Sequence, residues 1–490
     1  FSALPTLIRH NNIVMSNKGW KRREFLWGVS QSALTLAVLG RTSQQVIAST
    51  KKPTSVLVLG AGLSGLYTAL LLEAKGISVT VLEARDRVGG RVHTLDDLPG
   101  KPEAGAISFG KKYQRLLGLA ERLKLSLEET QPLDRELMFH VRGESLTAKN
   151  WAQSAANKLA ENERNIIPPR LLVHYLQKNN PLENSTAWTN PKHANLDISF
   201  EKYLRSKGAS DEAIRLMGPT YITNDLDTTS ALWSLGHARK FQDYLGKSVN
   251  ITGGNSRLPE KMAAVLKSPV KTNKVVASIK SSKTGVEVNC KDDSKFKADY
   301  VVVTLPFSVL RKVEIAPALP EKQAEAVQEL SYTAVTKIYL KVRQPFWEKD
   351  GYPPMTWTDS PLERIIPIRD NAGKVTNLIC WVNGKNAQML DTMSTKELSQ
   401  FFNFEIKKIR PAMVNNVDIV KLVSWGKDPY ARGAYSYFAP GQIRRFRAAM
   451  ARPWGRIHFA GEHTAIASPG MESALESGER VAKEIFTAIG

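Results

Sequence analysis

The glycines of Gly60-Ala61-Gly62-Leu63-Ser64-Gly65 are spaced as in a phosphate-binding turn, and Glu83 follows 23 positions after Gly60. In such a turn Gly60 permits the tight bend, Gly62 lets backbone approach a pyrophosphate, and Gly65 lets the following helix pack on the preceding strand. A helix N-terminus adds unpaired N–H groups and a positive dipole end. A carboxylate at the distance of Glu83 accepts from ribose hydroxyls, so the set implies a dinucleotide site. Its plainer alternative is a glycine-rich turn at a helix start. Lys337 sits within the apolar run Thr336-Lys337-Ile338-Tyr339-Leu340, where an ionised ammonium is costly without partners. A lysine so placed either snorkels or does chemistry. His237, in Ser234-Leu235-Gly236-His237, brings an imidazole suited to proton transfer near pH 7, with a satisfied structural histidine as the other reading. No spacing of His, Cys, Asp or Glu suggests a metal site.

Elements must position these groups. Ser55 to Leu59 is a short continuous apolar run and reads as a buried parallel strand. Leu63, Leu66, Tyr67, Leu70 and Leu71 then recur at helical spacing until Gly76, and a second strand from Ser78 to Leu82 ends at Glu83. From about 111 to 236 the pattern turns mostly helical, with polar breaks at 179–181 and 187–196. Strand-like alternation returns at 274–280, which holds Val276, and at 286–289, 300–304, 334–342, 375–383 and 456–459.

Composition bounds the rest. The 490 residues suggest two or three domains, and no stretch reaches the roughly 18 uninterrupted apolar residues of a membrane span. Two cysteines, Cys290 and Cys380, cannot build a disulfide framework and read as buried thiols. The net charge of +21 favours anionic surfaces. Residues 1–48 contribute part of it, and Lys21-Arg22-Arg23 followed by a diluted apolar stretch and Val46-Ile47-Ala48 reads as a twin-arginine export signal. That route carries folded, cofactor-loaded proteins. The protein is therefore expected to be exported, as a periplasmic, extracellular or peripherally membrane-associated species.

Leu82-Glu83-Ala84-Arg85-Asp86-Arg87-Val88-Gly89-Gly90-Arg91 resembles the extended ADP-binding signature of the flavin amine oxidase superfamily, which includes L-amino acid, monoamine and polyamine oxidases. The resemblance runs over almost the whole chain from Ser55 onward and is nearest to bacterial-type L-amino acid oxidases. It implies an FAD cofactor with Arg85 and Arg91 near its phosphates and ribose, where a permanent charge and a planar donor fork suit the task. Val276 is counted with the cofactor-binding residues. Lys337 matches the family lysine that holds a water beside flavin N5 and assists oxygen reduction. Phe459-Ala460-Gly461-Glu462-His463-Thr464 and the stretch from Gly470 to Arg480 resemble a second flavin-binding signature. There Glu462 would bind the ribityl chain, and a helix starting near Met471 would aim its dipole at the flavin N1 and O2.

On the substrate side, the segment from Trp425 to Tyr435 resembles one wall of the family's aromatic amine cage, with Tyr435 facing the flavin. Ala434 stands where monoamine oxidases carry the cysteine that tethers FAD, which implies a non-covalent cofactor. The opposite wall, usually Tyr or Trp, is Gly470 here, so half the cage is expected to be absent. His237 falls on the proposed amine-deprotonating histidine of L-amino acid oxidases. Ser108 falls where well-known L-amino acid oxidases place the arginine that pairs with the substrate carboxylate. Either another cation holds that carboxylate, or the substrate has none.

The expected fold is α/β, with a Rossmann-like FAD-binding domain from 52–100, 251–325 and 445–490, a mixed-sheet substrate domain from 101–140, 237–250 and 326–444, and a helical insert at 141–236. The expected reaction is oxidative deamination of an L-amino acid by dioxygen to a 2-oxo acid, ammonia and hydrogen peroxide. A primary amine or polyamine oxidase is the rival in the same class. The rival of another class is an exported basic flavoprotein that binds anionic membranes through a patch with Trp151, Trp188, Arg170 and Lys178. Nucleic acid is not an expected partner. A homodimer is carried as an open expectation.

Overall fold

A computed structural model of the chain describes residues 54–130, 136–243, 248–370 and 372–490. The twin-arginine segment lies outside the described residues. Strand Ser55–Leu59 pairs in parallel with Ser78–Leu82 on one side and Tyr300–Val303 on the other, and the latter pairs in parallel with Ile457–Phe459. Both faces of this four-stranded sheet are covered, which is why its strands are continuous apolar runs rather than alternating ones. Three segments far apart in sequence therefore build one sheet.

Helix Leu63–Ala74 leaves the first strand through the glycine turn and stops before Gly76, whose φ of 82° suits only glycine comfortably. It packs on the terminal helix Gly470–Ile489. The seam is close: Ser64 Oγ and Ser477 Oγ lie 3.0 Å apart, and a Cβ on Gly478 would stand 2.7 Å from the Ser64 carbonyl. The N-termini of these two helices thereby open on the same cavity, which is lined by Gly62, Leu63, Gly470 and Met471.

The second large sheet has seven strands in the spatial order Val417–Ser424, Val335–Val342, Val375–Asn383, Arg364–Arg369, Thr356–Thr358, Met138–Val141 and Glu144–Leu146. All neighbours are antiparallel except Thr356–Thr358 with Met138–Val141. Side chains alternate along Val335–Val342. Ile338 and Leu340 pack on one face with Leu398, Phe402 and Ile406 of helix Thr395–Ile409. Val335 and Tyr339 pack on the other with Ala104, Ile379 and Trp425. Lys337 belongs to that second face, which borders the cavity.

Segment 103–106 joins the two sheets. Ala104 N–H donates to the His93 carbonyl and Ala106 N–H to that of Arg91, while three side chains from the substrate side donate to the segment's own carbonyls. Gly105 is required there, because a Cβ would lie 1.8 Å from the Arg91 carbonyl oxygen.

Several expectations need correction. The region read as mostly helical also holds short strands at Leu127–Glu129, Met138–Val141 and Glu144–Leu146; the last, placed in the helical insert, completes the seven-stranded sheet. Helix Ala231–Asp243 runs through the expected boundary at 236. The tryptophans of the supposed membrane patch are interior: Trp151 is 1 % and Trp188 3 % exposed, and their indole N–H groups donate to the carbonyls of Ile166 and Ile466. A ring that is buried and bonded in this way offers no anchor to a lipid surface. Cys290 and Cys380 are free and buried, as expected. No helix among the described residues is long and apolar enough to cross a membrane.

Gly65 tests the glycine turn directly, since a Cβ there would meet the Gly60 carbonyl oxygen at 2.0 Å. Gly65→Ala is expected to lower stability by about 1–3 kcal/mol through overpacking and to yield protein depleted in flavin. Melting temperature and flavin absorbance per chain check both effects; a fully yellow variant that melts like the parent contradicts this account.

Candidate active site

Between the two sheets lies a cavity of about 1970 Å³. That is roughly twice the upper end of an ordinary small-ligand pocket, and suits a dinucleotide together with a substrate. Gly60, Gly62, Glu83, Arg85, Arg91 and Val276 line it, as do Glu462 and Met471. Gly65 stands behind the turn as a packing residue, in contact with Gly60.

The lining fits FAD on several counts. Helix Leu63–Ala74 has Gly62 at its N-cap and no acidic residue in its first turn, so its free N–H groups meet no competing carboxylate. Glu83 is buried at the end of its strand, accepting from Ala61 N–H at 2.8 Å and Arg85 N–H at 2.9 Å. These bonds orient the carboxylate and leave lone pairs for ribose hydroxyls. Arg85 donates to Asp428 at 2.6 Å and lies over the Tyr430 ring at 5.4 Å, while Asp86 is exposed. Arg91 donates to Glu462 at 2.9 Å and to the Ala434 carbonyl at 3.0 Å. Burial raises the Glu462 pKa, but Arg91, His463 and Ser436 more than offset it and keep the group below its ordinary range. The cofactor end of the cavity thus presents an ordered row of charges to the ligand.

On the opposite side Lys337 is 1 % exposed. Its Nζ donates to the carbonyls of Glu103 at 3.2 Å and Gly105 at 3.0 Å, and stands 4.3 Å from the centroid of the Trp381 ring. Burial pushes its pKa down to about 7, against a smaller upward pull from Glu103. Burial likewise pushes Glu103 up to about 7, although Asn255 N–H and Thr94 Oγ1 donate to it. Lys337 therefore does not snorkel: it is an interior amine held by carbonyls at the cavity wall.

Tyr435 lines the cavity, and its hydroxyl donates to the Ile222 carbonyl, which fixes the ring; burial raises its pKa. Trp425 is buried and donates from Nε1 to the Ala104 carbonyl at 2.9 Å, so it braces the wall. Ser108 lines the cavity half-buried. Gly470 has a φ of 52°, and a Cβ there would come within 3.2 Å of the Tyr113 hydroxyl. The space left by the absent second wall is thus partly taken by Tyr113.

His237 is stacked on Trp233, with ring centroids 4.8 Å apart, and Phe241 lies tilted against it at 4.7 Å. The three recur at i, i+4 and i+8 on helix Ala231–Asp243, so they share one face on the cavity. Burial, then Lys240, lowers the His237 pKa to about 3, which keeps the ring neutral at pH 7 and makes it a weak proton acceptor. Lys240, also at the cavity, lies 4.6 Å above the Trp188 ring and is pushed down to about 7 by burial.

Sequence reasoning did not single out Trp381, Arg364, Lys240 or Tyr113. A charged residue in an apolar strand drew attention to Lys337, and Arg364-Ile365-Ile366-Pro367-Ile368-Arg369 carries the same kind of signal. Trp381 shows itself only through its pairing with Lys337 on the neighbouring strand.

Comparison with known proteins agrees with this geometry. Residues 63–486 match the flavin containing amine oxidoreductase family. The chain belongs to that family. It is 25% identical over 468 residues to flavin-containing amine oxidase B of Homo sapiens, a match that spans 89% of this chain and 86% of that one. It is 28% identical over 454 residues to an L-amino-acid oxidase of Siganus canaliculatus, spanning 88% and 85%. Among solved structures, putrescine oxidase bound to putrescine superposes with a TM-score of 0.72 at 23% identity, covering 89% of this chain and 99% of that one. Cyclohexylamine oxidase from Brevibacterium oxydans IH-35A gives 0.73 at 21%, with the same coverage. The fold is theirs: a flavin-containing α/β enzyme with mixed sheets. The family is flavin-containing, and the dinucleotide-sized cavity with its glycine turn and Glu83 fits FAD.

Glu83→Gln would place an amide N–H₂ against backbone N–H donors and spoil the ribose acceptor. It is expected to weaken FAD binding about tenfold or more, measured by equilibrium release of flavin fluorescence, with the chain still folded. An unchanged dissociation constant would remove Glu83 from the cofactor site.

Proposed function

We propose that this family member is an exported oxidase of an L-amino acid, yielding a 2-oxo acid, ammonia and hydrogen peroxide with dioxygen as acceptor. The observation that supports it is the charge of the cavity wall away from the dinucleotide turn. Arg364 and Arg369 line the cavity, with Lys240 charged in part near pH 7, whereas among the carboxylates that also line it Glu83, Glu103, Glu129, Asp370 and Glu462 already hold N–H or O–H donors. Such a wall favours a substrate that carries an anionic group and disfavours a diamine or polyamine. The competing reading, a primary amine oxidase, draws on Ser108 in place of an arginine. Export rests on the twin-arginine pattern at Arg22 and Arg23.

Bound FAD would supply the hydride-accepting and oxygen-reducing chemistry of the proposed reaction, and the protein would supply orientation and proton handling. The N-termini of helices Leu63–Ala74 and Gly470–Ile489, which both open on the cavity, would hold the cofactor at their positive dipole ends. Non-covalent retention follows from Ala434, which has no nucleophile to offer. Tyr435, fixed through its hydroxyl, forms one side of the substrate slot and steers the amine by its ring face. Trp233, His237 and Phe241 line another side with aromatic surface. Lys337, near half-neutral at pH 7, holds a water or accepts a proton at Nζ beside the reacting centre. With a pKa of about 3, His237 contributes shape more than basicity.

Two measurements test the proposal. With matched pairs of L-amino acids and their decarboxylated amines, kcat/KM is expected to favour at least one amino acid by tenfold or more, roughly 1.4 kcal/mol. Turnover confined to the amines would overturn the reading. For Lys337, the rate of flavin reoxidation by oxygen is expected to titrate near pH 7 and to lose that step, with a large fall in rate, in Lys337→Met. An unaltered profile would separate Lys337 from the oxygen step.

A further inference from the structure

Arg364, Trp381 and Lys337 form one row across three adjacent strands, Arg364 facing Trp381 and Trp381 facing Lys337 in register. One indole carries both cations: Lys337 Nζ is 4.3 Å and the Arg364 guanidinium carbon 5.5 Å from its ring centroid. All three residues line the cavity. Arg364 is 16 % exposed along its side chain, yet its Nε and Nη2 are buried and lack any hydrogen-bond partner. Its nearest carboxylate, Glu363, is 3.9 Å away, beyond hydrogen-bond range, and accepts instead from Asn383 N–H and Asn386 Nδ2, each at 3.0 Å. Stranding guanidinium donors in this way is costly. A turn of the side chain toward the cavity would bring these donors to an arriving acceptor of matching shape, which would remove that cost.

We propose that Arg364 is the anchor for the substrate carboxylate, doing from the strand Arg364–Arg369 what the absent arginine at Ser108 would do from the segment before Phe109. The proposal rests on the amino acid reading above and names the group that makes it work. A planar guanidinium fork pairs with a carboxylate through two parallel N–H···O bonds. Trp381 holds the fork from one side, and its other cation, Lys337, marks the reacting centre. Two strand spacings, roughly 9.6 Å of backbone, separate Arg364 from Lys337, a gap that the two long side chains shorten from both ends. An α-amino acid bears its carboxylate on the carbon that is oxidised, so its anchor has to stand close to the oxidation site. Tyr435 lies close enough to Arg364 to feel its charge, which puts the guanidinium beside the same slot. Of the other cations on this wall, Arg369 already donates to the Gly373 carbonyl at 2.8 Å, and burial lowers the Lys240 pKa to about 7, leaving it only partly charged at neutral pH.

The test uses the flavin-loaded protein, with Arg364→Met and Arg364→Lys beside the parent, on matched pairs such as L-phenylalanine with 2-phenylethylamine and L-leucine with 3-methylbutylamine. The ratio of kcat/KM for the amino acid to that for its amine is expected to fall about 30- to 1,000-fold in Arg364→Met, mainly through KM, and less in Arg364→Lys. Perturbation of the flavin spectrum by benzoate, a carboxylate without an amine, is expected to weaken in parallel. Flavin content and melting temperature exclude misfolding; should Arg364→Met lose flavin, Arg364→Lys and Arg364→Gln carry the comparison. A parent that oxidises amino acids with a ratio unmoved by these substitutions overturns the role of Arg364 alone. A parent that oxidises amines only overturns the amino acid reading and this inference together.

Discussion

Three consecutive buried carbonyls, those of Glu103, Ala104 and Gly105, hold the molecule's two halves in register. Lys337 and Tyr339 donate to the first, Trp425 to the second and Lys337 again to the third. Buried carbonyls must find donors, and here every donor is a side chain of the substrate-side sheet or the turn beyond it. The same segment is tied to the dinucleotide side through backbone bonds to Arg91 and His93, and through the carboxylate of Glu103, which accepts from Asn255 and Thr94. The distance between cofactor and substrate walls is therefore set by a short stretch of chain in which nothing larger than glycine fits at 105.

The chemistry follows from that constraint. A lysine that braces a backbone segment cannot leave the cavity wall, and the burial that makes it a brace is what pulls its pKa to about 7. Position and basicity thus share one cause. Trp381 stands between Lys337 and Arg364 and contacts both, so that the proposed proton handling and anion binding would be laid out on one rigid row of strands rather than on loops. The helix that bears Trp233, His237 and Phe241 lines the slot with aromatic surface, and the partly filled space at Gly470 shapes what side chain the slot admits.

Much of this was legible in the chain, for identifiable physical reasons. The glycine turn, the strand before it and Glu83 after it obey local rules, so the dinucleotide half could be read residue by residue. Lys337 was conspicuous because an ammonium in an apolar strand breaks the binary pattern. The buried thiols were an equally local reading, whereas the helix that begins at Gly470 was expected near Met471 through the family resemblance. What escaped depends on contacts across strands. Trp381 and Arg364 belong to the site only because Val375–Asn383 lies between Val335–Val342 and Arg364–Arg369, an order that no local pattern encodes. Trp151 and Trp188 misled for the same reason: near basic residues in sequence, they are interior in space. Tyr113 reaches Gly470 from more than three hundred residues away.

The account stands on one claim, that the cavity receives an amine and a carboxylate on the same carbon, with Tyr435 and Arg364 as its two fixed points. The direct test is a crystal structure of the flavin-bound protein with 2-amino-2-phenylpropanoate, which carries both groups on one carbon that has no hydrogen to lose. The expected result is the carboxylate paired with Nε and Nη2 of Arg364, at roughly 2.8 Å, and the ring against Tyr435. A carboxylate bound at Ser108 or at Lys240, with Arg364 still unbonded, would contradict it.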